Sequence, residues 1–234
     1  MKNYLRLGLA AAALMLFFSA FAVTETKAQV IDQILKKMDE HYKALTSLRA
    51  DVKMVKYDAT LQVTEKSDIY EGTTIYLPAK GRDAYVRINW SKPAEEILSV
   101  VNGKYVVYRP RLNQAIIGET KNAKPKSTVK SNSALAFMNM SRTQLKANYS
   151  IRYLGQENVS GGVPTWHLEL TPKTPQNYKL ADLWVDGNGM PIQAKVTESN
   201  NDTTTVLLTN LQKNAAINAG DFAVNLPKDV KIVK

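Results

Sequence analysis

"DAYVRINW", residues 83 to 90, alternates between two unlike faces. In an extended chain successive side chains point to opposite sides, so Tyr85, Arg87 and Asn89 share one face and Val86, Ile88 and Trp90 the other. The second face is wholly apolar and ends in an indole, so it must lie against something without polar groups. An ordinary core, a partner protein or an apolar ligand each meets that need.

Working outward, Ile31, Ile34, Leu35, Met38, Tyr42, Leu45 and Leu48 recur at helical spacing, with Asp32, Lys36, Lys37, Asp39, Glu40 and Lys43 opposite. The spacing predicts an amphipathic helix from Val30 to Leu48 whose apolar stripe needs a surface to lie on. After it the period changes to two. Residues 50–57, 68–77, 95–110, 149–156, 165–172, 180–187, 191–199, 203–212 and 221–227 read as strands, with 95–110 a hairpin turning at Asn102-Gly103. "SALAFMNM" (133 to 140) reads as a short apolar helical segment. Gly161-Gly162, Asp186 to Gly189 and Asn200 to Asp202 mark further turns. The expected fold is mainly β: a single antiparallel sheet of about 10–11 strands, curled toward a barrel, with helices on its concave side.

The chain has 234 residues and no Pro- or Gly/Ser-rich linker, which suits one domain. Its first residues have the form of an export signal: Lys2 and Arg6, an apolar run from Leu7 to Phe18, then Ala20 and Ala22 in A-x-A spacing. Cleavage is expected after Ala22, or alternatively after Ala28, leaving 29–234 as the folded unit in either case. The apolar run is short for a span of about 20 residues, so a retained membrane anchor is disfavoured. With no cysteine, stability in an oxidising compartment has to come from a core, and a lipid anchor on an N-terminal cysteine is excluded. The net charge of +10 comes from scattered lysines, apart from the loop-like "KNAKPKSTVK" (121 to 130). Export argues against nucleic acid and leaves acidic headgroups or an acidic partner as candidates.

Catalytic inventory is sparse. His41 is expected on the exposed shoulder of the helix and His167 within a strand, too far apart for a zinc site of usual spacing. The chain has no G-x-S-x-G elbow, P-loop or dinucleotide fingerprint. "DGNG" (186 to 189) lacks the third acidic position and closing glutamate of a Ca²⁺ loop and is better read as a hairpin turn. Glu95 and Glu96, as strand neighbours, point apart. Binding without catalysis, metal or cofactor is the expectation.

Three stretches together resemble a known family. "KALTSLRADVKM" (43 to 54) is similar to that family's helix end and first strand. Residues 70–115 follow its central block, in which an E-G strand precedes an arginine, a strand ending in x-x-P, a D/N-G-K turn and Y-x-P-x-x-x-Q. Residues 186–233 resemble its closing block, ending in x-P-x-x-V-x-V. The family is the LolA-type periplasmic carrier of outer-membrane lipoproteins. The resemblance implies an unclosed antiparallel barrel whose apolar concave side, covered by helices, holds lipoprotein acyl chains. It also implies a monomer in the periplasm that receives cargo from an inner-membrane ATP-driven complex and passes it to a lipid-anchored outer-membrane acceptor.

On that reading Val86, Ile88 and Trp90 line the concave wall beside Leu98, Val100, Val106 and Tyr108 of the hairpin. Leu35, Met38, Phe137, Met138 and Met140 cover it from the helices, methionine being adaptable to chains of different shape. The family's lid-holding arginine falls at Arg82, although its usual following proline is Asp83 here, a carboxylate able to pair with Arg82 instead. From the residues alone, a solid core without any void fits the same pattern. A carrier of another exported lipid, or a periplasmic sensory module, also shares such a fold.

Overall fold

The two faces of the opening stretch become the two surfaces of a large sheet. The computed structural model describes residues 26–65, 68–78, 84–122, 140–159 and 161–233. Its strands are β1 (Leu48–Tyr57), β2 (Ile69–Leu77), β3 (Tyr85–Lys92), β4 (Glu96–Val101), β5 (Lys104–Arg109) and β6 (Gln114–Glu119), then β7 (Tyr149–Asn158), β8 (Pro164–Pro172), β9 (Tyr178–Asp186), β10 (Pro191–Glu198), β11 (Thr203–Lys213) and β12 (Lys231–Val233). Helix α1 (Lys27–Ala44) precedes them and α2 (Arg142–Asn148) leads into β7. The twelve strands form one sheet in the order β12-β6-β5-β4-β3-β2-β1-β11-β10-β9-β8-β7. Two antiparallel meanders, β1–β6 and β7–β11, are thus joined by pairing of β1 with β11. The outermost strands, β12 and β7, do not meet, so the barrel is unclosed.

Register gathers the apolar residues on one side. Ile116, Val107, Leu98, Ile88 and Thr74 are successive cross-strand partners, and in the other half Val206, Ala194, Leu183, Leu168 and Tyr153 are. Direct partners share a face, so each row is a continuous inner stripe. Gly72 faces Trp90 at a register shift between β2 and β3; a Cβ there would stand 2.2 Å from the Asn89 carbonyl oxygen, which is why this position takes glycine. Asn102 and Gly103 both have positive φ and close the β4–β5 hairpin as expected.

Helix α1 lies across the inner surface and buries Ile34, Leu35 and Met38 on it. Each such side chain contributes about 1.5–3 kcal/mol relative to exposure. Thr26 and Gln29 form a reciprocal capping box at its start. The helix ends at Ala44 rather than continuing to Leu48, because Leu45 is already extended and Leu48 opens β1. Asn214, beyond β11, holds this exit by accepting from the Thr46 N–H and hydroxyl at 2.8 and 3.0 Å.

The opposite surface answers for Tyr85 and Arg87. Residues 221–227, expected as a strand, instead begin in a 3₁₀ turn (Ala219–Phe222) and cross the back of β3 and β4 as a strap. Arg87 Nη1 donates to the Asp221 and Ala223 carbonyls at 3.0 and 2.7 Å, and Ser99 Oγ donates to the Phe222 carbonyl at 2.6 Å. Phe222 is fully buried, edge-on to Tyr85 at 5.5 Å. The strap continues to β12, which runs parallel to β6 and covers its edge. Strands β6 and β12 are the two that periodicity did not single out, β12 being only three residues long.

Phe222→Ala is expected to lower unfolding free energy by about 3–5 kcal/mol through the cavity it leaves. Arg87→Ala should cost about 1–3 kcal/mol by freeing two carbonyls. Urea denaturation monitored by tryptophan fluorescence reads both, and unchanged midpoints would mean that the strap contributes nothing.

Candidate functional site

Most of the inner surface is filled by the protein's own side chains, but not all of it. Between the C-terminal half of α1 and the β1–β3 wall an apolar crevice of about 50 Å³ remains. Met38, His41, Tyr42 and Leu45 form its roof. Leu48, Thr74, Tyr76, Val86 and Leu208 form its floor, while Met190, Pro191 and Met140 close the ends. Three methionines, Met38, Met140 and Met190, border this small space, and their flexible side chains can adapt to its shape.

The roof is positioned by residues far away in sequence. At the β9–β10 turn, Asp186 Oδ1 accepts from the Asn188 and Met190 N–H groups at 2.9 and 2.7 Å. This turn presents Gly189, with φ +82°, directly to α1; a Cβ there would meet the Lys37 carbonyl oxygen at 2.3 Å. Lys37 Nζ donates to the Gly187 carbonyl at 3.0 Å. "DGNG" is therefore a hairpin turn, as read from the sequence, and also the cradle of the helix.

A second tie joins the two helices. Asp32 accepts from Lys146 Nζ and Arg142 Nη2, both at 2.6 Å. Lys146, then Arg142, hold the Asp32 carboxyl below its ordinary value of 3.8. Leu145 of α2 is fully buried beside this clamp. No sequence pattern considered above placed α2, yet Ser141 and Gln144 have the S-x-x-Q spacing of a capping box and form one.

The expected cavity residues separate into groups. Met38, Val86 and Met140 line the crevice. Leu35, Ile88, Trp90 and Leu98 point inward but are packed in the interior, with Ile88 0% and Trp90 3% exposed. Val100 is half-buried against the same interior. Val106 and Tyr108 pair with Ser99 and Ile97 and so lie on the outer face with the strap side; the inward residues of β5 are Tyr105 and Val107. Phe137, Met138 and Arg82 lie outside the described residues. Tyr76, Thr74, Leu208, Met190 and Pro191 join the wall only through long-range pairing and were not legible in advance.

His41 is also displaced from its expected role. It is half-buried in the crevice roof rather than on an exposed shoulder, and its Nε2 is shielded from solvent with no hydrogen-bond partner among the described residues. Burial, and secondarily Lys213, hold its pKa below the ordinary 6.5 against the opposing pull of Asp186. The imidazole is accordingly neutral at neutral pH. His167 has a different setting on the outer face, between Glu157 and Asp182 at 2.9 Å each and stacked on Trp184. Burial raises the Asp182 carboxyl, but the His167 hydrogen bond and Lys195 outweigh it and leave its pKa lowered. Among the described residues no group of three or more His, Asp or Glu side chains could hold a metal, and no helix is long and apolar enough to cross a membrane.

The family model for the outer membrane lipoprotein carrier protein LolA matches residues 81–225. The chain belongs to the LolA family. Among the curated proteins none matches the sequence. Solved structures with a TM-score above 0.5 share the fold. An uncharacterized conserved protein from Thermus thermophilus superposes with a TM-score of 0.55 at 14% identity, covering 88% of this chain and 99% of that one. MucB superposes with a TM-score of 0.52 at 15% identity over 83% of this chain and 62% of its own. This LolA-family chain therefore spans less than two thirds of MucB. The lipoprotein LppX of Mycobacterium tuberculosis gives a TM-score of 0.46 at 14% identity, covering 80% of this chain and 98% of that one.

Two outcomes test how the roof is held. A carboxyl with a lowered folded pKa stabilises above its unfolded value and loses that contribution as pH falls through the folded one. The Asp32 clamp should therefore hold at neutral pH and release only in acid below 3.8. Hydrogen exchange of the α2 amides should show Asp32→Asn already unclamped at neutral pH; wild-type protection in that variant would remove the clamp. Gly189→Ala should cost at least about 1–2 kcal/mol from the positive φ alone. Its α1 amides should exchange faster while sheet amides do not, and equal protection of α1 would show that the turn does not seat the helix.

Proposed function

We propose that this protein is an exported carrier that holds the acyl chains of a lipoprotein, or of another lipid, against the inner face of the unclosed sheet. The observation that supports it best is the crevice: the apolar interior stops short of filling itself where a helix, not a strand, forms the cover.

At about 50 Å³ the crevice has room for roughly three to five waters, far less than a fatty chain needs. In this reading it is the closed start of a longer groove. When α1 lifts, Ile34, Leu35 and Met38 leave the sheet, and the stripe from Val86 through Ile88 to Trp90 becomes free. Four residues of strand give about 13 Å of groove along β3. Each CH₂ of a chain entering it gains about 0.8 kcal/mol, replacing what the helix side chains gave up. Apolar contact is non-directional, so helix and lipid exchange without a fixed geometry to satisfy. A lipid-anchored protein bound this way can cross water and still be released.

Family membership supports the same role, with an inner-membrane ATP-driven complex as donor and a lipid-anchored outer-membrane protein as acceptor. The export signal at 1–22 supports a periplasmic location. Cleavage after Ala22 keeps Thr26 as the α1 cap, whereas cleavage after Ala28 removes it.

Native mass spectrometry of protein taken from the periplasm without detergent is expected to show a bound lipoprotein or lipid. Val86→Trp should fill the crevice and lower binding of a fluorescent acyl probe at least tenfold with the fold retained by circular dichroism. An empty wild-type protein that also binds no probe would end the carrier reading.

A further inference from the structure

One buried polar atom of the crevice roof has no hydrogen-bond partner among the described residues. Two roof residues, His41 and Tyr42, carry polar groups, and His41 Nε2 is shut off from water and bonded to nothing among the described residues. Buried polar groups are normally paired, so an unpaired one in the roof of an apolar crevice is available to a ligand once the roof moves. Lys213 and Asp186 are the charged groups nearest in effect, and at 3.8 Å they pair with each other. A ligand carboxylate at the imidazole would have to compete with Asp186 for Lys213.

We infer that His41 is a specificity residue that hydrogen-bonds the ester or amide carbonyl of an acylated ligand, so that the crevice selects esterified lipids over plain hydrocarbons and free fatty acids. This rests on the carrier reading and names the class of lipid it takes. A neutral imidazole carries one N–H, and with the proton on Nε2 it donates to a carbonyl oxygen. A carboxylate in the same place would lose its hydration and meet only a lysine already shared with Asp186, which is unfavourable. An alkane would leave Nε2 unsatisfied. Met38, one helical turn away, and Val86 opposite supply the apolar contact for the carbons next to that carbonyl. The nitrogen is enclosed when the roof is down, so the bond forms as α1 moves and favours the loaded arrangement over the empty one.

The test uses the purified mature protein with three probes of one chain length: a pyrene-labelled fatty acid methyl ester, the free acid and a pyrene-labelled alkane. Wild type should bind the ester about three- to tenfold more tightly than the alkane, and more tightly than the acid. His41→Leu should remove that preference while binding the alkane at least as well, and His41→Gln, which keeps a donor, should restore part of it. Equal affinity of wild type for ester and alkane overturns the inference, and this comparison needs no variant to fold. Tightest binding of the free acid overturns it as well, in favour of a charged headgroup site. An equal loss for all three probes in His41→Leu, with no partial recovery in His41→Gln, makes His41 merely structural. Binding of the alkane alone leaves the carrier reading standing without the anchor, whereas no binding of any probe removes both.

Discussion

An open sheet with an apolar inner face has to be covered by something that is not a strand. Closing the barrel would pair β7 with β12 and let the strands' own side chains fill the middle. Here the ends stay apart. The inner stripes that run from Ile116 to Thr74 and from Val206 to Tyr153 are instead covered by the long helix α1 with the short α2 beside it. A helix about 10 Å across leaves part of so wide a surface to be met by loops, and the crevice lies where α1, the β9–β10 turn and Met140 converge.

The forces that hold the cover differ from those that hold the sheet. Backbone hydrogen bonds join strand to strand along nearly every register position. Helix α1 is attached by Ile34, Leu35 and Met38 at its centre and by a few polar contacts at its margins, such as Lys37 with Gly187 and Asp32 with Arg142 and Lys146. The Asp32 pair is half-exposed and screened by water, so it sets orientation more than strength. A segment attached mainly by non-directional burial can part from the sheet without breaking the ladder beneath it. That hierarchy gives local opening a lower cost than unfolding.

The back of the sheet shows the opposite design. Arg87 and Ser99 reach three strap carbonyls, Phe222 is fully buried, and β12 covers an edge that would otherwise be free to pair. The two faces of β3 are thus held differently: the polar face by hydrogen bonds to the strap, the apolar face by burial among side chains of the interior.

Local patterns made much of this legible. Period two marked most strands, a 3.6-residue period marked α1, and Asn102-Gly103 marked the hairpin. That same turn sets Val101 opposite Lys104, which already pairs Leu98 with Val107 and sends Val106 and Tyr108 outward. Residues 221–227 misled because alternating apolar residues serve equally in a strap that buries Phe222. Periodicity, turn residues and the quoted blocks were enough for the β class, the curl implied by so many short strands, the apolar stripe on β3 and the family. Which inward residues pack and which border open space was decided only by the tertiary structure. That depends on where α1 comes to rest, and α1 rests against Gly189 through a backbone approach between segments some 150 positions apart. No periodicity encodes such a contact, because periodicity tells which way a side chain points and not what is waiting there.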